Sequence, residues 1–271
     1  MWLNKYSMKH CFAFLIFIAF CLLIPQRSSA WGMLGHRITG QIAQSYLTPK
    51  AKQAIHAILG DSMIAMSSNW ADFIKSDTVF KYADPWHYIN LEDGLSYAGM
   101  QAYLKQDTAV DAYTRLNFLA KQLKNKKLPL NSRRFYLRML IHIAEDLHQP
   151  MHVSREEDLG GNKIKVLWFG DSTNLHSVWD EKLIAYQQLS YTEYANVINH
   201  ATSQQVREWQ QQPISQWLYD SYGIAQQLYS EIKQPNQRLS FRYNYDHVAT
   251  LNQQLLKGGV QLAGLLNSIF G

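Results

Sequence analysis

The segment His142 to His152, "HIAEDLHQPMH", gathers three histidines and two acidic side chains within eleven residues. His142 and Asp146 stand four apart, so a helix places both on one face, whereas His152 follows Pro150 and approaches from another direction. The segment "NLHSVWD" repeats the device with His176 and Asp180. Upstream lie His36, Asp72 in "NWAD" and His87 in "PWHY". One His-x-x-x-Asp pair alone is most often an ordinary surface contact. Two such pairs, with three further histidines and one further aspartate, exceed what a solvated helix face requires. Imidazole and carboxylate donors without cysteine suit Zn²⁺, with Mn²⁺ or Co²⁺ as substitutes. Five histidines and three aspartates are too many for one tetrahedral ion and about right for two or three.

The elements that must position these groups read as helices. Ile38, Ile42, Ala43 and Tyr46 recur at helical spacing after His36, and Thr48-Pro49 reads as an N-cap with a first-turn proline, opening a helix that ends near Gly60. A helix is expected through "SNWADFIK". Two amphipathic helices follow in "DTAVDAYTRLNFLAKQLKN" and "NSRRFYLRMLIHIAEDLHQ", the second stopped by Pro150. In "GGNKIKVLWFG" the pattern changes to Ile164, Val166 and Trp168 alternating between glycine-rich ends, the mark of a short strand or hairpin. Helix resumes at "NLHSVWDEKLIAYQQ" and continues to a leucine-rich C-terminal helix. No repeat or linker interrupts the chain, so the expected fold is mainly α: a single helical domain with a short β patch.

The 271-residue chain opens with Lys5 and Lys9, the apolar run Cys11 to Ile24, and small residues ending Ser28-Ser29-Ala30. That order describes a secretory signal over residues 1–30, cut after Ala30, which leaves a domain of residues 31–271. Both cysteines leave with the signal, so disulfides are excluded from the mature chain and metal is a candidate source of stability. No Asn-x-Ser/Thr sequon occurs. The formal charge of +5 falls to +2 when Lys5, Lys9 and Arg27 are removed. Such a near-neutral balance argues against a broad polyanion-binding face.

The sequence resembles the S1/P1 nuclease family of secreted trinuclear zinc nucleases, related to zinc-dependent phospholipase C. The likeness rests on "WGMLGH" at the expected mature start, "NWAD", "WHYIN", "HIAEDLHQPMH", "GGN" and "NLHSVWD", in family order from Trp31 to Asp180. It implies a fold of the phospholipase C/P1 nuclease type and three zinc ions per chain. One would be held by Asp72, His87, His142 and Asp146. A second, facing substrate, would use His152, His176 and Asp180. The third would use the α-amine and carbonyl of Trp31 with His36, bridged to the first by Asp146, a chelate that exists only after signal cleavage.

The resemblance further implies a secreted or periplasmic, monomeric endonuclease and 3′-nucleotidase. It would cut single-stranded DNA and RNA to 5′-phosphorylated products by attack of metal-bound water, with Asp72 and Asp146 at the catalytic centre and no stable membrane association. Tyr88 matches the position of an aromatic that stacks on a base, and Asn90 that of a side chain bonded to the base edge. Lys75 is a candidate phosphate contact. A half-buried structural tyrosine and a solvated lysine are the plain alternatives at positions 88 and 75. A zinc-dependent phospholipase C is the alternative activity. The family often has glycine where Glu145 stands, and this carboxylate either approaches the cluster or lies along the outer helix face. His148, two residues from Asp146, is expected to be a supporting or surface residue and not a ligand; His56, His200 and His247 are expected to be exposed or satisfied in the core.

Overall fold

The computed structural model describes residues 31–271. The expected signal and its two cysteines lie outside the described residues. Helix α1 (Met33–Ser45) carries His36 on a buried face with Ile38 and Ile42. Thr48 caps α2 (Pro49–Leu59) by accepting from the Ala51 amide at 3.2 Å, and Gly60 closes it at φ 71°, a left-handed conformation open to glycine. A one-turn helix, α3 (Ile64–Ser67), precedes the helix expected through "SNWADFIK", which is present as α4 (Trp70–Ile74). The break at Ser68 and Asn69 turns the Ser68 carbonyl toward His142 and its hydroxyl toward Glu145.

A 3₁₀ stretch, Thr78–His87, leads into β1 (Ile89–Asn90). Helices α5 (Tyr97–Gln106), α6 (Ala112–Leu123) and α7 (Leu130–Asp146) follow. From Met139 to Asp146 every residue of α7 is buried. A helix enclosed in this way carries its polar groups into the interior, where each must find a partner. The helix ends at Asp146, four residues before the proline expected to stop it. Pro150 instead opens a 3₁₀ turn, Pro150–His152, capped by Gln149. The intervening turn is closed by His148 N–H to Glu145 O and Gln149 N–H to Asp146 O, and it swings His152 back over the helix end.

Strand β2 (Val153–Ser154) pairs in parallel with β1, Ile89 opposite Val153, which joins the His87 and His152 segments. The expected hairpin is present as β3 (Lys165–Trp168) and antiparallel β4 (Asp171–Asn174), with Val166 and Trp168 buried. Its turn holds Phe169 at φ 50° and Gly170 at φ 98°. Asn174 caps α8 (Leu175–Ser177), and a π-helical turn over Val178–Lys182 carries Asp180 before α9 (Leu183–Tyr186). A widened turn inside a helix is a common feature of functional sites. Helices α10 (Tyr191–Ile198), α11 (Ser203–Gln211) and α12 (Ile214–Glu231) precede β5 (Gln237–Leu239), parallel to β3, and α13 (Phe241–Phe270).

Two apolar clusters form the core. One joins α2, α6 and α7 to the end of α13, and the other gathers Trp31, Ile38, Trp179 and Leu183 around the middle of α13. The mainly α architecture with a small β patch is as the sequence predicts. No helix among the described residues is long and apolar enough to cross a membrane.

Candidate metal centre

Eight side chains singled out in the sequence converge where α1, α4, the end of α7 and the π-helical turn meet. Their ligand-type atoms form three groups, His36/His142/Asp146, Asp72/His87/His142 and His152/His176/Asp180, each with its atoms within 4.8 Å of one another. Asp146 lies between them, with Oδ1 3.4 Å from His36 Nε2 and Oδ2 3.2 Å from His142 Nε2 and 3.0 Å from His87 Nδ1. His176 Nε2 is 3.0 Å from Asp180 Oδ2. Seven of the eight are buried, Asp72 being partly exposed.

The imidazoles are held by their far nitrogens. Nδ1 of His142, His152 and His176 faces the carbonyls of Ser68, His87 and Gly160, each at 2.6 Å. A carbonyl only accepts, so each Nδ1 is the donor and each Nε2 is turned to the centre, where the neutral ring offers a lone pair. Such outer partners orient histidine ligands and raise their basicity. Gly160 serves this geometry through φ 61°, and a Cβ there would collide with the Met151 carbonyl. Gln149, buried behind the centre, donates its amide to Asp180.

Glu145 settles the alternative left open at its position, because it points inward. Its Oε2 lies 2.6 Å from His36 Nδ1, its Oε1 accepts from the Ser68 hydroxyl at 2.8 Å, and its main-chain carbonyl accepts from the Trp31 indole at 2.9 Å. Trp31 is completely buried, and the Gly32 amide donates to the Asp180 carbonyl at 2.8 Å. The first described residues are thus clamped between the ends of the elements that carry Asp146 and Asp180. His148 bonds Ala144 O and the Gln261 amide oxygen; it is a buried residue, not a surface one. His247 is satisfied by Glu231 at 2.8 Å, and His56 and His200 are exposed.

Electrostatics identify what the donor set suits. Burial holds His36, His87 and His152 well below the usual histidine range, so they are neutral. Burial also lowers His142 and His176, but the charges of Asp146 and Asp72 on the first, and of Asp180 on the second, more than offset it and raise both. Burial pushes the Asp146 carboxyl up to about 7. His36 Nε2, His152 Nε2 and Asp146 Oδ1 are buried without a hydrogen-bond partner. Lone pairs crowded against a carboxylate in a dry space call for a cation, and nitrogen and oxygen donors without sulfur fit divalent zinc.

Above the His87, His152 and His176 imidazoles opens a pocket of about 510 Å³ whose walls include Lys75, Tyr88, Asn90 and Asn162. Lys75 Nζ is 2.7 Å from Asp72 Oδ1, and Tyr88 is 42% exposed. Lys81, Glu156 and Asn162 line the pocket without having been singled out in the sequence, although Asn162 closes the quoted "GGN". Neutral amides and isolated charges carry no spacing signal, so only the folded loop reveals them.

With this geometry in view, the S1/P1 Nuclease family model matches residues 31–271. The chain belongs to the S1/P1 nuclease family. It is similar to Endonuclease 2 of Arabidopsis thaliana, 30% identical over 89% of this chain and 91% of that protein. Nuclease P1 of Penicillium citrinum is 28% identical over 89% and 98%, and Nuclease S1 of Aspergillus oryzae is 33% identical over 60% and 57%. Membership makes the chain a nuclease, a hydrolase of phosphodiester bonds, and the resemblance read from its motifs holds over the whole described length.

Proposed function

We propose that the protein is an exported zinc-dependent endonuclease and 3′-nucleotidase acting on single-stranded DNA and RNA and leaving 5′-phosphorylated products. The observation that carries the reading is the meeting of three His/Asp groups, two of which present His87, His152 and His176 to one pocket with an aromatic and an amide on its wall. Three zinc ions per chain fit this donor set. Asp72, His87, His142 and Asp146 would hold one; His152, His176 and Asp180 would hold a second on the pocket side; His36 and the start of Trp31 would hold the third, with Asp146 available to both the first and the third. When bound, the ions supply Lewis acidity that activates water and neutralises charge on a phosphoryl group.

The chain's own groups do the rest. Asp146 keeps two imidazole sets within one ligand's reach. Lys75, anchored on Asp72, directs its ammonium along the pocket wall, where a phosphate oxygen would replace water. Tyr88 offers a ring to a base and Asn90 an amide to its edge. A duplex must surrender its own stacking to use them, which is the source of single-strand preference. Residues 1–30 serve as the export signal, residues 31–271 fold as the single catalytic domain, and the mature protein acts as a secreted or periplasmic monomer.

Release of acid-soluble nucleotide from denatured DNA and RNA, set beside release of phosphocholine from phosphatidylcholine, tests the reading; phosphocholine alone would assign the phospholipase activity instead. EDTA is expected to abolish turnover and zinc to restore it. Tyr88→Ala should raise KM for oligonucleotides by roughly 5- to 150-fold, the worth of about 1–3 kcal/mol of stacking, with zinc content unchanged. Altered metal content would place Tyr88 in the framework of the site. Glu145→Gln removes the carboxyl behind His36, which burial pushes well above the usual carboxylate range, and is expected to weaken metal retention there by about 10–100-fold in competition with a chelator. Unchanged retention would leave Glu145 as a buried polar residue of the core.

A further inference from the structure

From Ala112 to Ala144 the chain carries eight lysines and arginines and no aspartate or glutamate. The block occupies α6, the connection after it and the first half of α7. Lys121, Lys124, Lys126 and Lys127 are exposed around that connection. Among the described residues, the ion pairs of lysine and arginine lie elsewhere, at Lys75, Arg155, Lys182, Arg242 and Lys257. The positive charge of the α6–α7 hairpin is therefore not neutralised within the fold.

Aromatic rings interleave with these cations. Arg115 lies over Trp86 at 5.8 Å and over Phe118 at 5.3 Å, and Arg138 lies over Trp70 at 5.2 Å. The Nε atoms of Arg115 and Arg138 are buried without a partner. Trp86 adjoins His87, and the exposed Tyr82 packs on it at 5.6 Å. The start of α6 abuts the pocket, since the Ala112 amide donates to the Tyr88 carbonyl at 3.0 Å, and α7 ends at Asp146. Both helices thus run from the candidate centre to the lysine turn, which the twelve residues of α6 place about 18 Å from Tyr88.

We infer that the α6–α7 hairpin is an accessory binding surface for the sugar-phosphate backbone of a nucleic-acid strand, engaged outside the pocket by polymers long enough to reach it. A row of phosphates complements a cation block that lacks internal counter-charges, and the release of counterions drives such contacts without regard to sequence. Continuity with the pocket and the exposed rings of Tyr82 and Phe118 on either side of Trp86 and Arg115 favour a strand over a lipid surface, because unstacked bases use exposed rings. The inference rests on the pocket being the place where nucleic acid is cut.

The test is the zinc-loaded quadruple variant K121Q/K124Q/K126Q/K127Q beside its Lys→Arg counterpart, assayed on a dinucleotide and on a single-stranded 16-mer over a range of salt. For the 16-mer, KM is expected to rise roughly tenfold or more near 0.15 M salt, and the slope of log affinity against log salt to fall by up to about 3. The dinucleotide's kcat/KM should stay within about twofold, and the arginine variant should behave as wild type. Equal losses on both substrates, or an unchanged 16-mer, would overturn the inference. Binding of a phosphorothioate 16-mer gives an independent readout: cleavage of neither substrate defeats the nuclease reading, while lost 16-mer binding in the glutamine variant still supports the surface. Lost binding to phosphatidylglycerol vesicles with unchanged 16-mer binding would assign the hairpin to membranes and overturn it.

Discussion

Asp146→Asn is expected to reduce nuclease turnover by on the order of 10³-fold or more, beyond the 10–100-fold typical of residues that only orient a ligand. The side chain stands between two groups of imidazoles, its oxygens 3.4 Å from His36 Nε2 and 3.2 Å from His142 Nε2. An amide offers one weak neutral oxygen where a carboxylate offers two charged ones, so it could serve at most one of the two metal positions that Asp146 would share, and that one weakly. Zinc content should fall below that of wild type in step with activity. Substantial residual turnover at full zinc content would show that another group does the bridging.

Stability supplies a control with a definite sign. Burial pushes Asp146 up to about 7, above the ordinary carboxylate range, so in metal-free protein its ionisation above pH 4 costs stability. That cost grows from about pH 4 and is complete above about pH 7. Metal-free Asp146→Asn should therefore melt higher than metal-free wild type at pH 8, and the difference should vanish as pH falls toward 4. Comparing the two proteins cancels the opposite contribution of the buried neutral imidazoles, which lose stability as they are forced to protonate. A variant that melts lower at every pH would indicate damaged packing in place of ligand loss.

The ligand-type residues were legible because helical geometry translates i,i+4 spacing directly into a shared face, as at His142/Asp146 and His176/Asp180. The supporting layer was not. Main-chain carbonyls of Ser68, His87 and Gly160 leave no mark in a sequence, and the inward aim of Glu145 depends on the broken α3–α4 segment that brings Ser68 beside it. Likewise, the π-helical turn at Asp180 and the early end of α7 reflect tertiary contacts, Gly32 N–H to Asp180 O among them, that override local pattern. The near-neutral charge balance concealed the basic hairpin, since acidic residues elsewhere cancel it in the sum while leaving it uncompensated in space.

Retention of a single residue in front of Trp31 is expected to be nearly as damaging as loss of Asp146. Trp31 is buried completely, its indole donates to Glu145 O, and the following amide of Gly32 donates to Asp180 O. The start of the described chain is thereby held one turn ahead of His36, whose amide donates to the Gly32 carbonyl at 3.3 Å and whose Nε2 is buried without a hydrogen-bond partner. A free amine there, with an ordinary pKa of about 8, would release its proton to solvent and offer the freed lone pair to a nearby divalent ion, whereas the nitrogen of a peptide bond has no available lone pair. A chain made with Met or Ala before Trp31 should bind two zinc ions in place of three and lose activity by about 10²-fold or more, the scale of losing a direct ligand and not merely an orienting contact. Export and cleavage after Ala30 would then be a step of enzyme assembly, since the intracellular precursor would be both metal-deficient and inactive toward the cell's own nucleic acid. Metal analysis and turnover of the two forms, prepared side by side, decide it: three zinc ions and full activity in the extended chain would remove the terminal amine from the site.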